Sequence, residues 1–564
     1  MGKQKKRENK QIPSAMANKD TNKITSRSLF MIGEEWMEKK SSLLFAIISI
    51  LSLVFSLLLF NVRISEGGDD STYIEAGYKY YKDFFNYYFS FNAPLYPMFL
   101  SLPISVFGLN IIVLKFLSLI FNFFHLFFLY KAFNKRIPNF VLFPVLFITA
   151  TNVHFHYFAS QTYNESFFLF FQSLFFFVFV KLYDSIELNN SELRKTYKLW
   201  LAVGFGALIL SLTKNVGIVL VPVIILFFLL NKQYLNAMYS ALAFLCFKIP
   251  FEIIKFLAWG NIGQYGSQGA ILLQKDPYNA SKGQEDISGF IGRFFDNIDL
   301  YLFKRFFQIL GFLSEESLAV SRGMAIVVLI LLLWGLFKIF RSKNKILLFA
   351  SIYVAAFLVA SFLAIQARWD QPRYIMILVP LMLMIILFGI YCLLIKSSSP
   401  VQTIFLYLII ALTFAGIFTT FGKIKKNLPI LSKNIRGDIY YGYTPDWTNY
   451  LKLSKWCSKN LPDSAYVACR KAPMSFIYGN GKAFYPVYIV TETHPDSVLA
   501  TFKENKVTHI LIANLRRNPK KADGYIINTM HRIMQPIAEK YPQKITLVRQ
   551  EGQAEPSYLY QINY

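Results

Sequence analysis

GGDDSTYIEAGYKYYKDFFNYYFSFNAPLYP, residues Gly67 to Pro97, separates the first long apolar run of the chain from the second. Two adjacent aspartates, Asp69 and Asp70, stand a few residues beyond the end of that first run at Phe60. Carboxylates at a membrane edge are costly to desolvate, so this placement carries more meaning than it would on a soluble surface. A tyrosine-rich segment and two prolines follow. The stretch is either a catalytic loop or an acidic, aromatic interfacial turn. What decides between them is the side of a membrane on which it falls and the groups that face it.

The rest of the chain supplies the membrane. Its 564 residues are 54% hydrophobic and only 16% charged. The apolar residues gather into runs near the roughly 20 residues that a helix needs to cross hydrocarbon. This composition belongs to a polytopic helical membrane protein and not to a string of soluble domains. The net charge of +26 is concentrated in the N-terminal tail, the short loops and the C-terminal region. The first two follow from the positive-inside rule, which removes the reason to invoke nucleic acid. The Lys-rich Met1 to Lys40 reads as a cytoplasmic tail, with Leu43–Phe60 as a signal anchor.

Eleven apolar segments are candidate spans: Leu43–Phe60, Ile111–Tyr130, Phe140–Ala150, Ser166–Val180, Leu199–Leu212, Val216–Leu230, Ala237–Ile249, Met324–Phe340, Ile346–Ile365, Tyr374–Ile395 and Val401–Phe418. With the N-terminus inside, every inner loop is basic. Lys135 and Arg136 occupy the first, and Lys181, Arg194, Lys195 and Lys198 the second. Lys232, then Arg341, Lys343 and Lys345, then Lys396 mark the others. The opposite face receives a first outer loop, 63–97, a long turn-rich outer loop, 258–322, and short turns that include Lys214 and Arg373. Within the long loop, Phe294 to Phe312 is amphipathic enough to lie along the interface.

Three regions result: the tail 1–40, a transmembrane domain 41–421 and an exported domain 422–564. In the last, Thr444-Pro445 marks a helix start. Short β-rich runs at Ala465–Cys469, Thr508–Ala513 and Ile545–Val548 alternate with helical stretches, as in a small α/β domain with a partly parallel sheet. Cys457 and Cys469 in this domain are either a disulfide pair or two buried thiols. No Walker or Rossmann glycine pattern is present, so nucleotide cofactors have no support.

An outer loop with an acidic pair, GGDDSTYIEAGYKYY, followed by NAPLYP and a Phe-Gly, resembles the GT-C superfamily of membrane glycosyltransferases. The likeness is to protein O-mannosyltransferases, aminoarabinose transferases and their bacterial relatives. SLTKNVG at Ser211–Gly217 is similar to the family's Leu-Thr-Arg/Lys-x-x-Gly turn. QPRYIMILVP at Gln371–Pro380 is similar to its Arg-Tyr start of a late span, and TYNESFFLF at Thr162–Phe170 to the outer start of its fourth span. The resemblance covers Leu43 to Phe418, and it is the shared order and sidedness of the motifs that make it specific.

What the resemblance implies is transfer of a monosaccharide from a polyprenyl-phosphate donor, with inversion, at the periplasmic face of a bacterial inner membrane. Such a reaction needs a carboxylate to take the proton of the acceptor hydroxyl and cations to stabilise the departing phosphate. Asp69 matches the catalytic acidic position, and its alternative role is a helix N-cap. Asp70 matches the second acidic position, where the closest families carry Glu. Lys214 either meets the donor phosphate or snorkels to the interface. Arg373, and less directly Arg368, suit phosphate through the planar guanidinium fork, with an ion pair to Asp370 as the other reading. Tyr73, Glu165, Lys275 and Tyr278 are possible substrate contacts, although capping is the default for Glu165 and a surface role for Lys275.

His154 and His156 suggest a metal, but two histidines without a third ligand are weak grounds for one, so no cofactor is assigned. The acceptor is a glycan, a lipid or a protein hydroxyl. The tail lacks the Trp-Trp-Asp-Tyr-Gly signature of oligosaccharyltransferases, which argues against whole-glycan transfer to asparagine. Three other readings are a ligase or polymerase of lipid-linked glycans, a transporter or flippase for lipid-linked sugars, and a degenerate, non-catalytic scaffold that keeps the fold. A transporter would place its functional polar groups nearer mid-membrane.

Overall fold

Helix Ser41–Leu59 is inside out by the standards of a soluble protein. Its serines Ser49, Ser52 and Ser56 are buried, whereas Leu43, Ile47, Ile50, Leu53, Val54 and Leu57 are exposed. Aliphatic side chains facing outward and small polar ones facing a neighbour is the pattern of a helix surrounded by lipid. This computed structural model of the protein describes residues 29–188, 192–260, 268–276, 282–366, 369–490, 492–516 and 525–564.

Nine of the eleven apolar segments fall on a single helix each; Val216–Leu230 joins a 3-10 turn to a helix, and Tyr374–Ile395 is broken at Ile377 and Leu378 between Arg373–Met376 and Val379–Leu394. Among the described residues, seven helices are long and apolar enough to cross a membrane unaided: Ser41–Leu59, Ile111–Phe133, Asn164–Leu188, Leu193–Thr213, Arg322–Ser342, Lys345–Ala364 and Ser399–Ile435. Asn139–Thr151 and Val153–Ala159 form an eighth candidate, bent by 55°. Asn215–Leu230 and Val379–Leu394 are shorter apolar helices, and Tyr234–Trp259 completes the bundle. Helices come close where side chains vanish. A Cβ on Gly204 would lie 2.2 Å from the Ala243 carbonyl oxygen, and one on Gly335 would lie 2.3 Å from that of Ile385. Only glycine permits either approach.

The connections gather at two ends. At one, Glu34 caps helix Asn139–Thr151, Arg136 pairs with Asp184 at 2.6 Å, and Asn344 donates to the Arg136 carbonyl at 2.8 Å. The other end collects the Asp69 loop, residues 152–164, Lys214, residues 282–293 and Arg373. There, Phe294–Phe312 is packed into the bundle and does not lie loose along its edge. Asn297 donates to the carbonyls of Phe362 and Ile365, and Tyr301 stacks on Phe362. The cause is its burial pattern, since Asn297, Tyr301 and Leu302 all turn inward.

The last span does not stop where its apolar run does. Helix Ser399–Ile435 continues past Gly422 without a break, so the change in composition there falls inside a helix. Beyond it, among the described residues, five strands form one mixed sheet: β1 (Tyr466–Cys469), β2 (Phe484–Pro486), β3 (Val507–Ala513), β4 (Ile545–Glu551) and β5 (Ser557–Ile562). The order is β2-β1-β3-β5-β4. β1 runs parallel to β2 and β3, while β5 is antiparallel to β3 and β4. Cys457 and Cys469 are separate buried thiols. Burial pushes the first up to about 12 and the second to about 11, well away from thiolate chemistry.

Candidate functional site

The chain leaves helix Ser41–Leu59 in an extended segment and turns at Gly68, whose φ of +89° only glycine adopts without strain. Asp69 is then the first residue of helix Asp69–Lys82, and Gly68 is its N-cap. Asp69 is therefore not the cap, and its side chain is free to point elsewhere.

The two aspartates diverge. Asp70 is fully buried and accepts from the Ser65 N–H at 2.9 Å and the Ser65 hydroxyl at 3.1 Å. Burial raises its pKa, against the Ser65 N–H and the Lys115 charge. Lys115 is buried beside it and donates to the Arg63 carbonyl. The Asp70 carboxylate thus braces the turn that carries its neighbour.

Asp69 instead meets Arg373, with Nη2 to Oδ2 at 2.6 Å. Arg373 opens the short helix Arg373–Met376 and lies over the rings of Tyr163, 5.5 Å away, and Tyr374, 5.2 Å away. Desolvation works against its charge, yet Asp69, Tyr374 and Glu165 outweigh that and hold it above the ordinary arginine range. The Asp370 alternative is taken up differently. Lys304 pairs with Asp370 at 2.6 Å, and Arg305 binds the same carboxylate.

Behind this pair lies a second one. Lys214 Nζ is 2.7 Å from Glu165 Oε1. Glu165 is fully buried, and its Oε2 has no hydrogen-bond partner among the described residues. Burial lowers the Lys214 pKa, with Glu165 opposing it. Tyr73, one turn along from Asp69, is buried and accepts from Asn92 at 3.2 Å. Its pKa is pushed up by burial first and then by the Glu165 and Asp69 charges, which marks it as a neighbour of both pairs.

On the other side of Arg373 opens a cavity of about 680 Å³. Arg63, Arg305, Arg373, Lys423 and Lys426 line it, with Glu66, Glu315 and His154. Arg63 faces Glu66, Arg305 Asp370, Arg373 Asp69 and Lys423 Glu315, so carboxylates offset most of this charge and an anion entering the chamber would compete with them for the cations. Lys214 and Glu165 are outside its lining. Lys275 is exposed beside the Gln274–Gln284 bridge and is not among the lining residues either. Arg368 and Tyr278 lie outside the described residues. His156 is engaged by Ser56 and the Ala150 carbonyl, both at 2.9 Å. Among the described residues no group of three His, Cys, Asp or Glu side chains is arranged to hold a metal.

Motif reading missed Arg63, Arg305, Lys423 and Lys426, and it missed Lys471 of the C-terminal region, which donates to the Glu66 carbonyl at 2.7 Å. A signal for two of them exists. Lys423 and Lys426 are basic residues on the side expected to be outside, where the charge rule gives no reason for them.

No protein-family model matches the chain, and no curated protein matches it. Its fold is similar to that of the Archaeoglobus fulgidus oligosaccharyltransferase. The apo crystal structure has a TM-score of 0.54 at 13% identity, covering 85% of this chain and 70% of that one. AglB from the same organism, in complex with an inhibitory peptide and a dolichol-phosphate, gives 0.53 at 12%, with 93% and 74% covered. A form tethered to an acceptor peptide containing the NVT sequon gives 0.52 at 13%, with 94% and 75% covered. AglB is a GT-C superfamily membrane glycosyltransferase, so the fold implied by the order of the motifs is the fold found.

Proposed function

We propose that the protein is a glycosyltransferase that moves a sugar from a polyprenyl-phosphate carrier to an acceptor hydroxyl, with Asp69 as general base and Arg373 at the carrier phosphate. The observation that carries this reading is the 2.6 Å contact of Asp69 with Arg373 at the rim of a cationic cavity. A proton acceptor and a phosphate-binding cation are thereby within one side chain of each other.

The acceptor oxygen attacks the anomeric carbon as its proton passes to Asp69. The new C–O bond forms on one face while the bond to the carrier phosphate oxygen breaks on the other, so the configuration inverts. The electron pair leaves with the phosphate, whose charge is met by Arg373 and the other cavity cations. A guanidinium satisfies a phosphate through two parallel N–H bonds. Arg373 already spends Nη2 on Asp69, so a carrier phosphate competes for it, and its arrival releases Oδ2 toward the acceptor. Donor binding then precedes activation of the acceptor.

The bundle is set with its Asp69 end, and residues 422–564, on the outer face of a bacterial inner membrane. The basic loops at the opposite end support this. AglB, bound to dolichol-phosphate in one structure and to an acceptor peptide in another, supports a lipid-linked donor. It also raises a second reading, transfer of a longer lipid-linked glycan. The test is a donor panel. Purified protein is given polyprenyl-phosphate monosaccharides and, separately, longer diphosphate-linked glycans, and release of the carrier is measured. Release from the monosaccharide donors alone is expected. Turnover of only the longer glycans favours the second reading, and turnover of none overturns both.

A further inference from the structure

We infer that the C-terminal region positions Asp69, by fastening the backbone of residues 62–67 through Asn434, Tyr443 and Lys471. The inference rests on the role given to Asp69 above. The segment between Phe60 and Asp69 belongs to no helix or sheet, so its polar groups must find partners elsewhere.

They do so with a period of two. Asn427 donates to the carbonyls of Leu58 and Phe60, both at 2.9 Å. The Val62 N–H reaches Asn434 Oδ1 at 3.1 Å. The Tyr443 hydroxyl donates to the Ile64 carbonyl at 2.6 Å. Lys471 Nζ donates to the Glu66 carbonyl at 2.7 Å and to that of Gly67 at 3.2 Å. Two odd positions bond toward the bundle as well, although the Arg63 guanidinium itself reaches the Gly442 carbonyl. Arg63 gives its carbonyl to Lys115, and Ser65 bonds to Asp70 and to the Tyr163 hydroxyl. An extended segment alternates its faces in this way, and here one face belongs to residues more than 360 positions further along the chain.

This arrangement differs from ordinary domain packing in where it acts. Its last bonds fall on the two residues before Gly68, with only that one residue between them and Asp69. The same domain also holds the helix that follows, since Phe476 packs edge-on against Tyr78 with ring centroids 5.2 Å apart. Lysine is a costly residue to immobilise, yet Lys471 spends its ammonium on two carbonyls. Arg470 is its cationic neighbour, and the Asp69, Asp70 and Glu66 charges face it. Lys471, Tyr443 and Asn434 are thus positioning residues that act on the base through the backbone.

The experiment uses full-length protein in detergent, as wild type, Lys471→Met, Lys471→Arg and Tyr443→Phe. It reads backbone hydrogen exchange over residues 65–72 alongside kcat, donor KM and thermal unfolding. Faster exchange in Lys471→Met and Tyr443→Phe is expected, with Lys471→Arg partly restored. A displacement near 1 Å at a reacting group costs about 100-fold in rate, so a kcat loss of about 10- to 100-fold is expected for Lys471→Met, with donor KM little changed. Unchanged exchange overturns the inference, as does unchanged kcat where exchange has risen. If exchange responds but the wild type transfers nothing, the functional reading falls, and the fastening is left without catalytic meaning.

Discussion

Asp69→Asn preserves the shape of the side chain and removes one charge together with the proton-accepting oxygen. Its effect on stability follows from the exposure of the pair it breaks. The Asp69 side chain is 43% exposed and that of Arg373 13%. Orphaning one member of a fully buried pair costs about 3–5 kcal/mol, whereas exposed pairs are worth about 0–1 kcal/mol. The exposure of Asp69 puts this one near the lower case. Arg373 also keeps the Tyr163 and Tyr374 ring faces and the amide oxygen of the new Asn, so the expected loss is about 1 kcal/mol.

The rate loss should be far larger. Removing a general base costs about 10²- to 10⁴-fold, equivalent to about 2.7–5.4 kcal/mol of barrier at 1.36 kcal/mol per decade. The assay is kcat at saturating polyprenyl-phosphate donor, with thermal unfolding followed in the same detergent. Asp70→Asn is the control, because that carboxylate is fully buried and bonded to Ser65. There a stability loss of about 1–3 kcal/mol is expected, with transfer retained by the folded fraction. A kcat for Asp69→Asn within about twofold of wild type, far short of the general-base range, would refute the assignment.

Replacing Lys423 and Lys426 together by Ala should raise donor KM about tenfold and leave kcat nearly unchanged, as expected where ground-state and transition-state binding are lost alike; steady-state kinetics check this. Glu165→Gln should lower stability by about 3 kcal/mol, because it leaves the Lys214 ammonium without its carboxylate in a buried position; denaturant unfolding reads this. Gly68→Ala forces a side chain into left-handed backbone and toward Lys471 Nζ, and should cost about 1–2 kcal/mol in the same measurement. Lys471 has its pKa lowered to about 8, chiefly by burial and then by Arg470. The unfolded chain keeps this proton up to about pH 10.4. Between those values the unfolded state binds more protons, so wild-type stability should rise with pH relative to Lys471→Met. Thermal unfolding across that window in both proteins tests the sign.

The bundle was legible because lipid imposes a single repeated demand, a long apolar helix, and the apolar runs are helical, though among the described residues only seven helices are long and apolar enough to cross unaided. Where the demand weakens, so does the reading. Phe294–Phe312 has the periodicity of an interfacial helix, but periodicity gives only the existence of an apolar face, and here the bundle supplies what covers it. β2 and β5 were missed for a related reason. β2 has only three residues, and β5, SYLYQI, is recognised chiefly through its pairing with β3 and β4. The last helix outruns its apolar stretch because lysines after Gly422 resemble the start of a loop, whereas the helix carries them on as a cavity wall.

The acidic pair shows most plainly what sequence reading supplies and what it lacks. Nothing in the letters DD separates the two residues, and a motif match assigns roles by position alone. The distinction comes from the start of a helix. Successive residues there point about 100° apart, so when Gly68 sets the first turn, one carboxylate must face the bundle and the other must look across the loop. The inward one, Asp70, finds Ser65 and Lys115 and becomes part of the frame. The outward one, Asp69, finds Arg373, some three hundred residues away in sequence, at the edge of a cavity whose cations come from four separate stretches of chain. Arg63 and Arg305 are unremarkable in their own segments, Arg373 stands out only by its motif, and Lys423 and Lys426 only by the side on which they fall. They line one cavity only where the bundle and the C-terminal region meet around residues 62–67, which is why that extended segment matters as much to the proposed chemistry as the aspartates that follow it.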